Sequence, residues 1–306
     1  MRSTTDRPRT IELTSELESK EHHVSFTQFF IAVTLQTIAA VVLFRYASPA
    51  MFAAEIAHPW RIVLWTLLAG LPISLFEYLY HRYLLHSAIL PFMASMHRAH
   101  TTHHGLTYVK APVSPADPGR LVEARNEFPI EEPHQEESMM FPLYSLAIFY
   151  GVFFILLTIP FKLMFPNAPI VMAVIFSVTL NYSAYEIWHA ILHLPFDRFW
   201  KPRLESVWTK RLFRRVYGFH LMHHWRPSSN LAIVGFWGIA VWDHAFKTHR
   251  RPERLPLHGE EVNFNDATLA KPLWPISQLD SWQSALYRAS RSVERYLAKV
   301  FLRRGA

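Results

Sequence analysis

Four long stretches of the chain run with almost no charged side chain. Val24 to Phe44 holds none before Arg45 closes it, about the length that crosses a bilayer as a helix. Ile62 to Tyr80 contains only Glu77, near its far end, and Pro72, where a membrane helix tolerates a kink. Ser138 to Phe161 is the third stretch and Leu163 to Tyr185 the fourth, with a tight Phe165-Pro166-Asn167 turn at their junction. The pattern predicts an all-α integral membrane protein, a four-transmembrane-helix bundle built as two hairpins. Three segments divide it: a flexible polar tail over 1–23, a membrane-embedded body over 24–250, and a tail over 251–306.

The remaining segments complete this picture. Leu231 to Trp242 is an uncharged run of twelve, too short to span, and reads as interfacial or re-entrant. Thr107 to Gln135, rich in Pro and charge, reads as a loop passing over the other elements. Asp280 to Arg304 reads as a basic amphipathic helix whose apolar side includes Trp282, Leu286, Tyr287, Val293, Tyr296, Leu297 and Phe301. It can lie on an anionic leaflet or pack against the protein. The tail over 1–23 is polar and the first apolar run exceeds a signal-peptide core, so no cleavable signal is expected.

Charge settles the expected orientation. The net charge is +7, and at 51% hydrophobic the chain is too apolar for an ordinary basic soluble protein. The basic residues form no stripe with a readable nucleic-acid motif, so nucleic acid is not an expected partner. Lys and Arg number four in the amino tail, five over 82–137 and nineteen after residue 193. The opposite connectors carry only Arg45, Arg61 and Lys162 at their edges. By the positive-inside rule both termini and the middle segment are cytoplasmic.

The candidate chemistry lies on the same side. The spacing His-x-x-His-His occurs at His100, His103 and His104 and again at His220, His223 and His224, whereas about 0.06 copies are expected from 18 histidines in 306 residues. On a helix that spacing puts three imidazoles on one face. His189 and His193 stand one turn apart at the end of the fourth run and can share a metal. His81 and His86, five apart, are off-face on a regular helix and imply that the helix ends or bends between them. All four groups converge at one membrane–cytosol boundary, as a cytoplasmic helical cap carrying a histidine-rich dimetal site. The chain has no cysteine, so a metal must rest on imidazole and oxygen; iron, zinc, copper and nickel all suit such ligands.

Several other residues bear on that site. His97 precedes His100 by three and His104 by seven and shares their face, as a possible additional ligand. Glu77 lies four before His81, and Glu186 three before His189, each one turn deeper in the membrane. Each is placed to accept an imidazole N–H and so orient a ligand; an ion pair with Arg82 is the plainer role. Asp243 can act in the same way from the cytosolic side.

The stretches Phe76-Glu-Tyr-Leu-Tyr-His-Arg-Tyr-Leu-Leu-His86, His97-Arg-Ala-His-Thr-Thr-His-His104, Tyr185-Glu-Ile-Trp-His-Ala-Ile-Leu-His193 and Phe219-His-Leu-Met-His-His224 together resemble the fatty acid hydroxylase superfamily of membrane di-iron enzymes. The resemblance covers roughly residues 60–247, and Asn230 and Trp242-Asp243 are similar to its closing segment. It implies two iron ions, with zinc possible in purified protein, held by His81, His86, His100, His103, His104, His189, His193, His220, His223 and His224. It also implies dioxygen as cosubstrate and oxidoreductase activity, hydroxylation of a lipid C–H bond. Fatty acyl, sphingoid and sterol substrates all occur in the family. No haem-binding domain, dinucleotide fingerprint or cysteine cluster is present, so electrons are expected from a separate cytochrome or ferredoxin with its reductase. Lipid desaturation on the same scaffold is one alternative. A non-enzymatic histidine-rich metal-binding or transport protein is another.

Overall fold

A computed structural model describes residues 25–87, 94–110, 123–125, 127, 139–250 and 271–303. The expected tail over 1–23 and most of the expected loop over 107–135 lie outside the described residues, as do 251–270.

The described chain is mostly helical. Helix α1 spans Phe26–Ala47, with the Ser25 hydroxyl accepting the Gln28 N–H at 3.3 Å as its cap. A short α2 (Pro49–Ile56) leads into α3 (Pro59–Leu85), and each begins on a proline whose missing N–H is unneeded at that position. After α4 (Ala94–Leu106) come two short strands, then α5 (Ser145–Met164) and α6 (Ile170–Leu192). There follow α7 (Lys201–Glu205), α8 (Lys210–Trp225) and α9 (Val241–Ala245), and α10 (Ile276–Arg303) ends the described residues.

Helices α1, α3, α5 and α6 are each long and apolar enough to cross a membrane, which marks a membrane protein. Their outward side chains agree, since Leu35, Leu43, Val63, Leu68, Ile155 and Leu163 are exposed. α5 begins at Ser145, later than the uncharged run. Pro142 interrupts the segment before it, and its carbonyl accepts the Ser145 N–H at 2.8 Å. α6 is the most enclosed of the four and α1 the least. Phe29, Ile73, Leu146, Phe153, Val174 and Val178 knit α1, α3, α5 and α6 into one apolar core. A carboxylate the sequence reading passed over, Glu55, pairs with Lys162 at 2.7 Å and accepts the Val171 and Met172 N–H groups at the start of α6.

One departure from the all-α expectation is a strand pair, β1 (Tyr108–Lys110) against β2 (Glu123–Arg125), antiparallel with Tyr108 opposite Arg125. Val109 is buried beside Leu221 and Met222 of α8, so the β-branched residue and its apolar bed select an extended backbone here. In consequence Thr107 is fixed beside His224.

The uncharged run forms an irregular loop from Leu231 to Ala240, laid along α3, and its last two residues open α9. Its indole anchor Trp237 donates to the Leu67 carbonyl at 2.9 Å. Its ring lies against Gly70, where any Cβ would fall 2.5 Å from the indole. Gly235 turns at φ 59°, and a Cβ there would meet the Ile239 carbonyl. Non-helical backbone beside a membrane span needs every N–H satisfied. Two carboxylates do so for five consecutive residues. Asp243 accepts from Leu231 and Ala232 at 3.0 Å each, and Glu77 accepts from Ile233, Val234 and Gly235 at 2.6–2.9 Å.

Candidate metal centre

The end of α3 widens into a π turn over His81–Leu85, with the His86 N–H bonded to the His81 carbonyl at 3.2 Å. That wider turn brings residues five apart into line, so the two rings stack with centroids 5.1 Å apart. The expected end or bend is therefore a one-residue expansion of the helix.

Nine imidazoles fall into two adjoining groups that could each hold a metal ion: His81, His86, His100, His104 and His223, and His103, His193, His220 and His224. The two His-x-x-His-His boxes straddle them reciprocally. His100 and His104 join the first group while His103 joins the second; His220 and His224 join the second while His223 joins the first. The groups touch through His104 and His224, whose rings are 4.3 Å apart. His189 belongs to neither group but borders the second, its ring 4.7 Å from His103 and 5.0 Å from His193.

The donor set fits a cation. In the first group His81, His86 and His104 each bring Nε2 within 3.1–3.2 Å of the His100 Nε2, and His86 and His223 meet at 3.2 Å. In the second, His220 Nε2 lies 2.8 Å from that of His193 and 3.0 Å from that of His224. Ligands about 2.1 Å from one ion stand about 3 Å apart at right angles. Hydrogen bonding between rings cannot account for all of these contacts, because each neutral imidazole has one N–H and the His100 Nε2 meets three others. His81, His223 and His224 spend their Nδ1–H on the carbonyls of Leu231 (2.6 Å), Ser229 (2.9 Å) and Thr107 (2.9 Å), which leaves each Nε2 a bare lone pair facing other imidazoles. Burial, reinforced by neighbouring imidazoles, holds His86, His100, His103, His104, His220 and His224 well below their ordinary range. Burial brings His223 to about 4. Neutral imidazoles are the form that ligates.

The orienting groups differ from those read in the sequence. Glu77 and Asp243 accept backbone N–H groups of the loop, and neither forms a hydrogen bond to an imidazole among the described residues. Their effect on the site is relayed: Asp243 holds Leu231, and the Leu231 carbonyl orients His81. Glu186 accepts the Phe141 N–H at 3.2 Å. Arg82 pairs with Asp280 of α10 at 2.7 Å and leaves both glutamates alone. Asn230, at φ 52°, closes the loop by donating to the carbonyls of Phe219 and Arg250 and accepting the Arg250 N–H. His97 stands outside both groups, its Nδ1 on the Leu85 carbonyl at 2.8 Å, where it braces the π turn. The carbonyl partners carried no sequence signal, because every residue type supplies one.

Comparison with protein-family models, with curated proteins and with solved structures returns no match for this chain. Its class rests on the fold and the site: a membrane protein with two adjoining buried histidine groups able to hold metal.

Proposed function

We propose that the chain is an oxygen-dependent di-iron lipid hydroxylase of the fatty acid hydroxylase type, with both termini and the histidine cap on the cytoplasmic side. The observation that carries the reading is the pair of imidazole groups in contact with each other, opening on one side to a largely apolar hollow. That hollow is lined by Leu85, His100, Met140, Ile148, Glu186 and His189 and amounts to about 370 Å³. Sulfur-free neutral nitrogen donors suit redox-active iron, and a wall that meets the lipid-facing surface at the exposed Tyr144 and Ile148 suits a lipid substrate.

Two irons held by the nine grouped imidazoles, with His189 at their border, would supply dioxygen activation and hydrogen removal from an unactivated C–H bond. The protein's own residues position and exclude. The Leu231, Ser229 and Thr107 carbonyls fix the tautomer of three ligands. Leu85, Met140 and Ile148 keep the chain of the substrate against His100 and His189 and hold water away. Electrons come from a separate carrier. The first half of α8 exposes Lys210, Arg211, Arg214 and Arg215, and the second half buries His220, His223 and His224, so an acidic carrier docked there sits one helix from the site.

The decisive experiment compares total lipids of cells making the intact chain with cells making the His223→Ala/His224→Ala variant, with metal content measured in parallel. A lipid gaining one oxygen only with the intact boxes is the expected result. Loss of two hydrogens moves the assignment to desaturation. No lipid difference with oxygen and a reductant carrier present, while metal is retained, overturns the oxygenase reading in favour of a metal-holding protein.

A further inference from the structure

Beyond the histidines, three unsatisfied polar side chains lie close together on α6. Asn181 and Tyr182 line a narrow hollow of about 60 Å³ between α3, α5 and α6. Glu186 lines the larger hollow beside His100 and His189, and the two hollows share Phe141 and Tyr185 as walls. The rest of the smaller hollow is apolar and aromatic, formed by Ile73, Phe76, Phe149 and Phe153. All three polar residues are more than nine-tenths buried, at 7%, 6% and 1% exposed. Each keeps one atom with no hydrogen-bond partner among the described residues: Asn181 Oδ1, the Tyr182 hydroxyl and Glu186 Oε2.

The chemistry of those atoms is defined. Asn181 Nδ2 donates to the Ser177 carbonyl at 2.8 Å, which fixes the amide and leaves the acceptor oxygen free. Glu186 uses Oε1 on the Phe141 N–H and leaves Oε2 without a partner, to accept as a carboxylate or donate as a carboxylic acid. Tyr182 can give or take. Buried polar groups are nearly always hydrogen-bonded, so three within six residues of one helix mark a place where a ligand's polar group sits.

We propose that the hollow takes a lipid bearing a hydrogen-bond donor, a hydroxyl or an amide N–H, and that Asn181, Tyr182 and Glu186 receive it. This deepens the lipid-oxygenase reading by naming its substrate class. The Asn181 Oδ1 can only accept and so calls for a ligand that donates, with the Tyr182 and Glu186 oxygens able to complete its hydrogen bonds; a hydrocarbon or an ester offers no donor. The placement also sets a ruler. From Asn181 to His189 is about 12 Å along the helix axis, and from Glu186 about 4.5 Å, so the reacting carbon lies within that span of the donor group. The three are positioning residues.

The test measures binding to the intact, zinc-loaded chain in detergent, with no oxygen or reductant. Radiolabelled dodecan-1-ol is the probe, displaced by unlabelled dodecan-1-ol or by 1-methoxydodecane, which accepts but cannot donate. The alcohol is expected to compete roughly tenfold better than the ether, about the effect of one or two net hydrogen bonds. That preference is expected to fall below twofold in the Asn181→Leu/Tyr182→Phe variant and in Glu186→Leu, with ether binding and zinc content of the first variant unchanged. Equal competition by alcohol and ether in the natural chain overturns the proposal, as does a preference that survives in both variants. A chain that prefers the alcohol yet alters no lipid in cells would refute the oxygenase reading alone.

Discussion

His81 is aimed by a carbonyl, and that carbonyl is placed by a carboxylate one residue beyond the end of the uncharged run to which it belongs. Asp243, fully buried, joins Leu231, Ala232 and Thr248, and burial raises its own pKa. Asp243→Leu strands two N–H groups and is expected to cost about 2–4 kcal/mol in thermal or denaturant unfolding. It is also expected to lower metal content while leaving all nine grouped imidazoles in the chain. Glu77→Leu should act through the same loop by the same route. The histidines were legible from spacing because chance rarely produces two copies of their motif. The roles of Glu77 and Asp243 were not legible from helix-face arithmetic. Both project from where that arithmetic puts them, but their partners are backbone groups on a segment more than ten residues away from either helix face in sequence or contact order. Backbone donors leave no trace in residue identity.

Among elements, the apolar runs located the four spans well, since twenty uncharged residues have few uses other than crossing a bilayer. The boundaries were less legible. Pro142 delays α5, and α6 continues through His189 because its last turns face the cap core at Leu192 rather than water. The π turn was legible only as an irregularity, from the five-residue step between His81 and His86. Inserting one alanine after Leu84 puts His81 and His86 six apart, out of line on an α or a π turn, and rotates His86 off the first group. Metal content is expected to fall by about half, read by elemental analysis of the purified chain. The loop's contact with α3 gives another test. Gly70→Val drives a side chain into the Trp237 indole and is expected to destabilise by about 1–3 kcal/mol. Adding Trp237→Ala relieves the clash, so the two changes together should cost less than their sum in unfolding experiments.

For the molecule as a whole, the exposed surfaces divide by chemistry. The spans present leucine, isoleucine and valine outward, and α10 leaves the body at its Arg82–Asp280 anchor with Trp282, Leu286, Val293 and Tyr296 uncovered. The expected amphipathic helix is thus present, packed to the body at Ile276 and Leu279 and open beyond. The exposed basic half of α8 is the face proposed to dock a carrier. Lys210→Glu/Arg214→Glu should slow reduction of the iron-loaded chain by an acidic carrier roughly tenfold at low ionic strength. The difference should shrink as salt is raised toward 0.5 M, because exposed charges are screened within a few ångströms there.

The reciprocal division of the two histidine boxes has a further consequence. Each box is one rigid helical turn that contributes to both groups, so an ion settling in one group tightens α4 and α8 together and draws the remaining imidazole of each turn toward its neighbour. The first ion thereby meets the ordering cost for the second. Metal titration of stripped chain should therefore be sigmoidal, with singly filled molecules scarce at half saturation, as native mass spectrometry would count them. A population dominated by singly filled molecules would mean that the two turns move independently.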